Sequence, residues 1–470
     1  MRAEDALFLY AQSPRLCQQV GAVLLLDSAA IQPAAFRAAM GQRVRRVPGL
    51  RRRLERPRNG WQRPCWITDD DIDVRDRIQH VTLGHRGCPT RLADAVDGFF
   101  SRPCDPFRSP WEMLLVQGMR GRTAVAVKVH HCVGDSYAII AMLGELFDEA
   151  HGSSATAPGS GPGRAGLAPG RRRRRIPGRP AARAIRGLWH LATAGRAPAV
   201  SVCGPFHTGR RRYLPLALPA RDVAVTARGL DVGIADLVLI LVAEALSRLL
   251  RSRGEDTAGR TVRVAVPRSR AGAATRSRRP SANRSAAVSL DVPIGPLSLP
   301  ERAAALRGQI DAHQRRGEPD AAAVVLRAMN WLPPPLQRRA AVQLYQSRWF
   351  NMLASVFPGQ RRGHHLLGAP VAEVYPVLAL ANGVGLAVGA MTWETSMSIG
   401  ILADAGLVPD AGHLAAELAS AFRRAQAAAS GTGPGARRPA AAVSGVPLAA
   451  SPVPAGAVRG PVQRAGPGPD

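Results

Sequence analysis

The hydrophobic positions change period once in a place that organises the whole reading. From Ala124 to Val129 an apolar run alternates around Lys128 as a strand does, and it ends in His130-His131. From Ser136 the apolar positions fall at helical spacing to about Ala150. A strand, a short turn containing Gly134 and a helix are therefore expected in that order. Asp236 to Leu250 reads as a strongly apolar helix, and Leu386 to Gly400 as strands. The uncharged window Val374 to Trp393 is long enough to imitate a membrane span. Pro376 and the Asn382-Gly383 step interrupt it, which predicts two buried strands joined by a hairpin turn. Ala181 to Thr193 has helical spacing, with Leu188 and Trp189 on it, and would lie on the protein's own surface or on a membrane.

Composition divides the chain. At 470 residues it can hold two domains, each with its own core. Residues 1–150 form a first half that ends in the His-His loop and its helix, and residues 206–428 form a second. Between them, 151–205 reads as a flexible basic linker. Its Gly, Pro, Ser and Arg-rich stretch 151–180 includes the run Arg171 to Arg175, and Ala181 to Thr193 is its one helix candidate. The Pro, Gly and Ala-rich tail 429–470 reads as disordered.

The formal net charge of +29 would by itself suggest nucleic acid or an anionic surface. Yet Lys128 is the chain's single lysine, every other basic side chain being arginine. A chain rich in Arg, Ala, Gly and Pro is what a high-GC genome encodes, so part of the basicity reflects codon usage. No aromatic-interleaved basic motif or metal-ligand spacing accompanies it, and no nucleic-acid partner or metal is expected. Anionic lipid headgroups or the phosphates of a nucleotide-bearing substrate remain suitable partners. Cysteines 17, 65, 88, 104, 132 and 203 are scattered without a CxxC pair, which predicts reduced thiols and a cytoplasmic protein. Cys132, beside the histidine pair, reads as a small buried side chain. The first residues carry Arg2, Glu4 and Asp5 and no apolar leader, so no signal peptide is expected.

The strand-turn-helix carries the candidate chemistry. It brings two imidazoles and the carboxylate of Asp135 into one loop. A histidine there can act as a general base near neutral pH, since its unperturbed pKa is about 6.5. A second pair, His364-His365, has no acid five residues on and lacks that arrangement.

The His130-His131-x-x-x-Asp135 pattern resembles the active-site motif of the CoA-dependent acyltransferase superfamily, and collinear segments narrow the resemblance to bacterial wax ester synthase/diacylglycerol acyltransferases. Glu4 to Leu9, Val20-Gly21-Ala22, Pro64-Cys65-Trp66 and Asp71 to Val74 are similar to that family's opening blocks. Pro110-Trp111-Glu112 resembles its PLWE segment without the leucine, and Lys128 falls where the family carries lysine. Asp236 to Leu239, Val266-Pro267, Ala282-Asn283-Arg284, Ser355 to Gly359, Gly400, Asp404 and Pro409-Asp410 resemble later blocks. Three positions depart: Ala235 and Val356 stand where the family has asparagine, and Ser136 where it has glycine.

The resemblance implies an α/β (α+β) fold of two chloramphenicol-acetyltransferase-like halves packed around a substrate tunnel. It implies transfer of a fatty acyl group from acyl-CoA, as co-substrate, to the hydroxyl of diacylglycerol or a long-chain alcohol, with no further cofactor. His131 would be the general base, His130 a supporting group, and Asp135 a brace for the loop against an arginine. A peripheral membrane or lipid-droplet surface would be the setting. Two alternatives stay open: a related acyltransferase or condensation-type enzyme on a specialised metabolite, and a catalytically weak lipid-surface homologue.

Overall fold

A computed structural model describes residues 1–28, 31–70, 72–84, 89–148, 195–204, 208–268, 286–316, 324–325, 328–360 and 363–430. The stretch 151–180, the helix expected over Ala181 to Thr193, Ala282-Asn283-Arg284, Asp71, Cys88 and the tail beyond Ser430 lie outside the described residues.

The first half runs α1 (Ala3–Ala11), β1 (Gln19–Leu26), α2 (Pro33–Arg46), β2 (Arg52–Glu55), β3 (Cys65–Thr68), β4 (Ile78–Thr82), α3 (Pro89–Ser101), β5 (Trp111–Met119), β6 (Arg122–His130) and α4 (Ser136–Gly144). Next come β7 (Arg211–Pro219), α5 (Ala220–Gly229), α6 (Ile234–Ser252), β8 (Thr261–Arg268), β9 (Ala286–Pro293) and α7 (Leu299–Arg316). After a 3-10 turn at Met329–Trp331 follow α8 (Pro334–Leu344), β10 (Met352–Gln360), β11 (His365–Leu366), β12 (Ala369–Val377), β13 (Leu386–Trp393), β14 (Ser396–Asp404) and α9 (Ala411–Ala429).

Two six-stranded mixed sheets form the frame, ordered β11-β12-β1-β6-β5-β4 and β7-β14-β13-β10-β8-β9. Thr123 to His130 of β6 is buried throughout, which is why that strand reads as a nearly continuous apolar run. One core lies between the sheets and joins Val125 and Val127 to Phe357, Met391 and Trp393. The other lies between the second sheet and α5, α6, α7 and α9.

The boundary between halves is not the clean cut at 206 that composition suggests. β11 and β12, from the second half, complete the first sheet, with β12 running antiparallel to β1 from Gly21↔Val377 to Leu26↔Val371. β12 and β13 are indeed strands, but they are not a hairpin. They belong to different sheets, and Asn382-Gly383 lies on the crossover between them, Gly383 adopting φ 72°. Glycine lets β12 pass close to the second sheet. A Cβ on Gly400 would come 1.9 Å from the Pro376 carbonyl oxygen, and one on Gly389 3.1 Å from the Pro376 ring.

Other junctions are polar. Arg211 and Asp404 form a buried ion pair at 2.6 Å, and the same guanidinium donates to the Arg15 carbonyl of the first half. Asp97 of α3 accepts the Tyr213 backbone N–H of β7 at 2.7 Å. The last part of the expected linker is also packed. Val200 and Val202 are buried in the second core, and the Pro198 carbonyl accepts from Asn351 Nδ2 at 2.7 Å.

Candidate active site

His130 ends β6 and His131 begins the turn, so strand pairing fixes both. His130 pairs across from Gln19, and the His131 backbone N–H donates to the Gln18 carbonyl at 2.8 Å. Gln18 is itself tied down, its side-chain Nε2 donating to Leu380 O at 2.8 Å in the β12–β13 crossover.

The two imidazoles have different surroundings. His130 is fully buried and uses both ring nitrogens. Its Nδ1 accepts the Cys132 backbone N–H at 3.1 Å, so that nitrogen carries no proton. The proton is then on Nε2, which donates to Gln12 Oε1 at 2.8 Å. Burial first, and the neighbouring His131 second, depress the His130 pKa to about 3. His130 is a neutral strut. His131 is only partly buried, and its ring lies flat on Phe8, with centroids 3.7 Å apart and planes 11° from parallel. Phe8 in turn packs edge-on against Tyr345 at 5.5 Å.

Asp135 is the N-cap of α4, its carboxylate accepting the Ala138 backbone N–H at 3.0 Å. This bond ties the carboxylate to the helix start. The Arg52 guanidinium also reaches the loop, donating to the Val133 carbonyl at 3.3 Å, and it stacks over Trp66. Ser136 is the first residue of α4 and is not among the residues with positive φ, so glycine is not required there. Burial pushes the Cys132 thiol well above its usual range, as suits a packing residue.

Lys128 lies wholly inside. Its ammonium donates to the Phe99 and Arg102 carbonyls at 3.0 and 2.9 Å and pairs with Glu112 at 3.0 Å. All three donors are used, so it fastens the end of α3 to the sheet beside the histidines. The second pair, His364-His365, stands apart from the loop: His364 packs against Phe147 and Trp393. Among the described residues no cluster of His, Cys, Asp and Glu could hold a metal ion.

Behind α4 lies a cavity with about 680 Å³ of empty space, part of it open to solvent. Its floor is Val125 and Val127 of β6, its roof Ile140 and Leu143 of α4, and β12 and β13 close it with Val374 and Trp393. The lining is almost wholly apolar. Tyr137 links this wall to the Ser355–Gly359 segment through an edge-on contact with Phe357 at 5.5 Å.

Comparison with known proteins bears on the family and the fold. A family profile described as the wax ester synthase/diacylglycerol acyltransferase catalytic domain matches residues 1–197, and the WS/DGAT C-terminal domain matches residues 281–426. The chain belongs to this family. Among its relatives is a Mycobacterium bovis protein provisionally named a diacylglycerol O-acyltransferase, 26% identical over 440 residues and covering 89% of this chain and 94% of the relative. A similarly named Mycobacterium tuberculosis protein is 27% identical over 444 residues, 86% of each chain. In fold, the chain is similar to the wax ester synthase/diacylglycerol acyltransferase of Marinobacter aquaeolei VT8, with TM-score 0.65 and 19% identity over 91% of this chain and 98% of that one. It is also similar to the starter condensation domain of rhizomide synthetase solved with C8-CoA and Leu-SNAC, with TM-score 0.58 and 15% identity over 91% and 93%. The two-lobed α/β architecture expected for the family is thus the one found.

Sequence reasoning placed His130, His131 and Asp135 in one loop, and the structure holds them there. It missed Phe8, Gln12, Gln18 and Arg52 as partners of that loop. Phe8 stood within a quoted family segment, but no spacing in the sequence marks any of the four as neighbours of His131.

Proposed function

We propose that this wax ester synthase/diacylglycerol acyltransferase family member is an O-acyltransferase that moves a fatty acyl group from acyl-CoA to the hydroxyl of diacylglycerol or a long-chain alcohol. The observation that carries this reading is the unequal histidine pair at the end of β6, with an apolar cavity lying between the same strand and α4. His130 is locked as a neutral strut, which leaves His131 as the partly open imidazole of the loop.

His131 takes the acceptor's hydroxyl proton as that oxygen attacks the thioester carbonyl carbon. The C–O bond forms, the C–S bond breaks, and the proton passes from the imidazolium to the departing thiolate. No acyl-enzyme is required. General-base assistance of this kind contributes about 10²–10⁴ in rate, and holding both substrates together contributes much of the rest. Asp135 and Arg52 keep the turn in place, and the apolar cavity behind α4 suits an aliphatic chain. The setting is the edge of a lipid surface, where water-insoluble acceptors such as diacylglycerol reside; among the described residues no helix is long and apolar enough to cross a membrane.

The test is an assay of purified protein with palmitoyl-CoA, offered diacylglycerol and a long-chain alcohol in parallel. Ester formation and stoichiometric release of free CoA thiol are expected. Thiol release without ester from either acceptor would overturn the assignment of the acceptor class.

A further inference from the structure

Large apolar side chains turned to solvent need a reason, and this chain gathers several near one another. Trp331 is 90% exposed and Leu336 53%, and Val342 and Leu344 are exposed as well. Trp331 closes the 3-10 turn at Met329–Trp331 and the other three lie on helix α8, which buries Gln337 and Ala341, with Leu344 at its last position. Trp61, 71% exposed, stands two residues from Arg63, whose guanidinium donates to the Asn330 and Leu332 carbonyls on either side of Trp331. The Trp61 loop is therefore fastened to the Trp331 turn.

The charged side chains on this stretch of chain are arginines. Arg58, Arg338, Arg339 and Arg348 are exposed, and no Asp or Glu occurs between Asp320 and Glu373. Arg338 and Arg339 have no carboxylate in ion-pair range among the described residues. Glu4, the acid that touches this face, accepts a hydrogen bond from Asn330.

The face also adjoins the reacting histidine. α8 packs on α1, and from α1 Phe8 lies on the His131 ring while touching Tyr345 at the end of α8. One helix separates the exposed tryptophan surface from the candidate base.

We infer that Trp61, Trp331, Leu336 and the flanking arginines form a docking face for an anionic lipid surface, through which a membrane-dissolved acceptor reaches His131. Tryptophan and leucine beside arginine suit the boundary between acyl chains and anionic headgroups, where apolar burial and charge attraction act together. The inference rests on the acyltransfer reading for the role of the face, but docking itself does not require turnover.

The test uses the full chain in co-sedimentation with phosphatidylglycerol/phosphatidylcholine vesicles and with pure phosphatidylcholine vesicles, each at low and high salt. Wild type is expected to bind the anionic vesicles, less so at high salt. Trp331→Ser/Leu336→Ser and Arg338→Glu/Arg339→Glu should each lower that binding at least about tenfold with little change in melting temperature. Both variants should also lose transfer to diacylglycerol in anionic vesicles while keeping transfer to hexanol in solution. Equal vesicle binding by wild type and both variants overturns the inference, as does binding lost only when residues 153–175 are deleted. A changed oligomeric state with unchanged vesicle binding overturns it too, by assigning the face to a second copy. Vesicle binding that depends on this face, with no ester formed on any acceptor, would sustain docking and end the acyltransfer reading instead.

Discussion

The side-chain oxygen of Gln12 and the Nε2 of His130 lie 2.8 Å apart, and with the Cys132 N–H on Nδ1 this contact fixes the tautomer of His130. With Nδ1 already accepting from Cys132 N–H, the Gln12 oxygen can be satisfied by His130 only if Nε2 holds the proton. The neighbouring His131 is then flanked by a neutral ring, so its own ring can take up a proton without facing a second cation.

Replacing Gln12 by leucine should therefore do two things. It leaves a buried N–H unsatisfied, costing about 1–3 kcal/mol of stability. It also frees the turn that holds His131, so turnover should fall by more than the loss of folded protein explains. Chemical denaturation alongside kcat measured well below the melting temperature separates the two effects.

The depressed His130 pKa gives a pH dependence with a definite sign. The unfolded chain binds a proton at this residue near pH 6.5, and the folded chain does so only near pH 3. The stability from a neutral His130 is present above about pH 6.5 and is lost as pH falls toward 3. Asp97 acts in the opposite direction: burial lifts it to about 7, so the folded chain keeps a proton that the unfolded chain releases near 4. Its contribution is present at low pH and declines as pH rises from about 4 to 7. Asp97→Asn, which keeps an acceptor for Tyr213 N–H, should raise the melting temperature at pH 8 more than at pH 5. An equal gain at both values would remove burial of the charge as the cause.

Asp135→Asn tests the brace. Asparagine caps helices about as well as aspartate, so the fold should hold. If the carboxylate positions the loop, activity should fall uniformly across pH. Loss of one whole ionisation limb from the pH–rate profile would instead make Asp135 a proton carrier.

Much of this was legible in the chain because local pattern decides it. The buried strand ending in His130, the cap at Asp135 and the long apolar helix after Asp236 follow from periodicity and capping alone. The passage of β12 into the first sheet does not. The Asn382-Gly383 step has hairpin chemistry, yet Gly400 and Gly389 leave room for a crossing strand, and only the second sheet reveals that space. Gln12 and Arg52 stayed hidden for a related reason: their bonds to the loop span 118 and 81 residues, and no local signal encodes a contact of that range. Codon usage accounts for part of the basicity and anionic lipid stays open as a partner, but the placement of arginines on α8 around Trp331 and Leu336 is visible only in three dimensions.

The central claim is that His131 is the base. The direct measurement is the rate of acyl transfer from palmitoyl-CoA by His131→Ala beside wild type, at matched concentrations of folded protein. The account predicts a loss of at least about 10² in kcat, with a melting temperature lowered only modestly by the missing stack on Phe8. A His131→Ala protein that transfers acyl groups at the wild-type rate would contradict it.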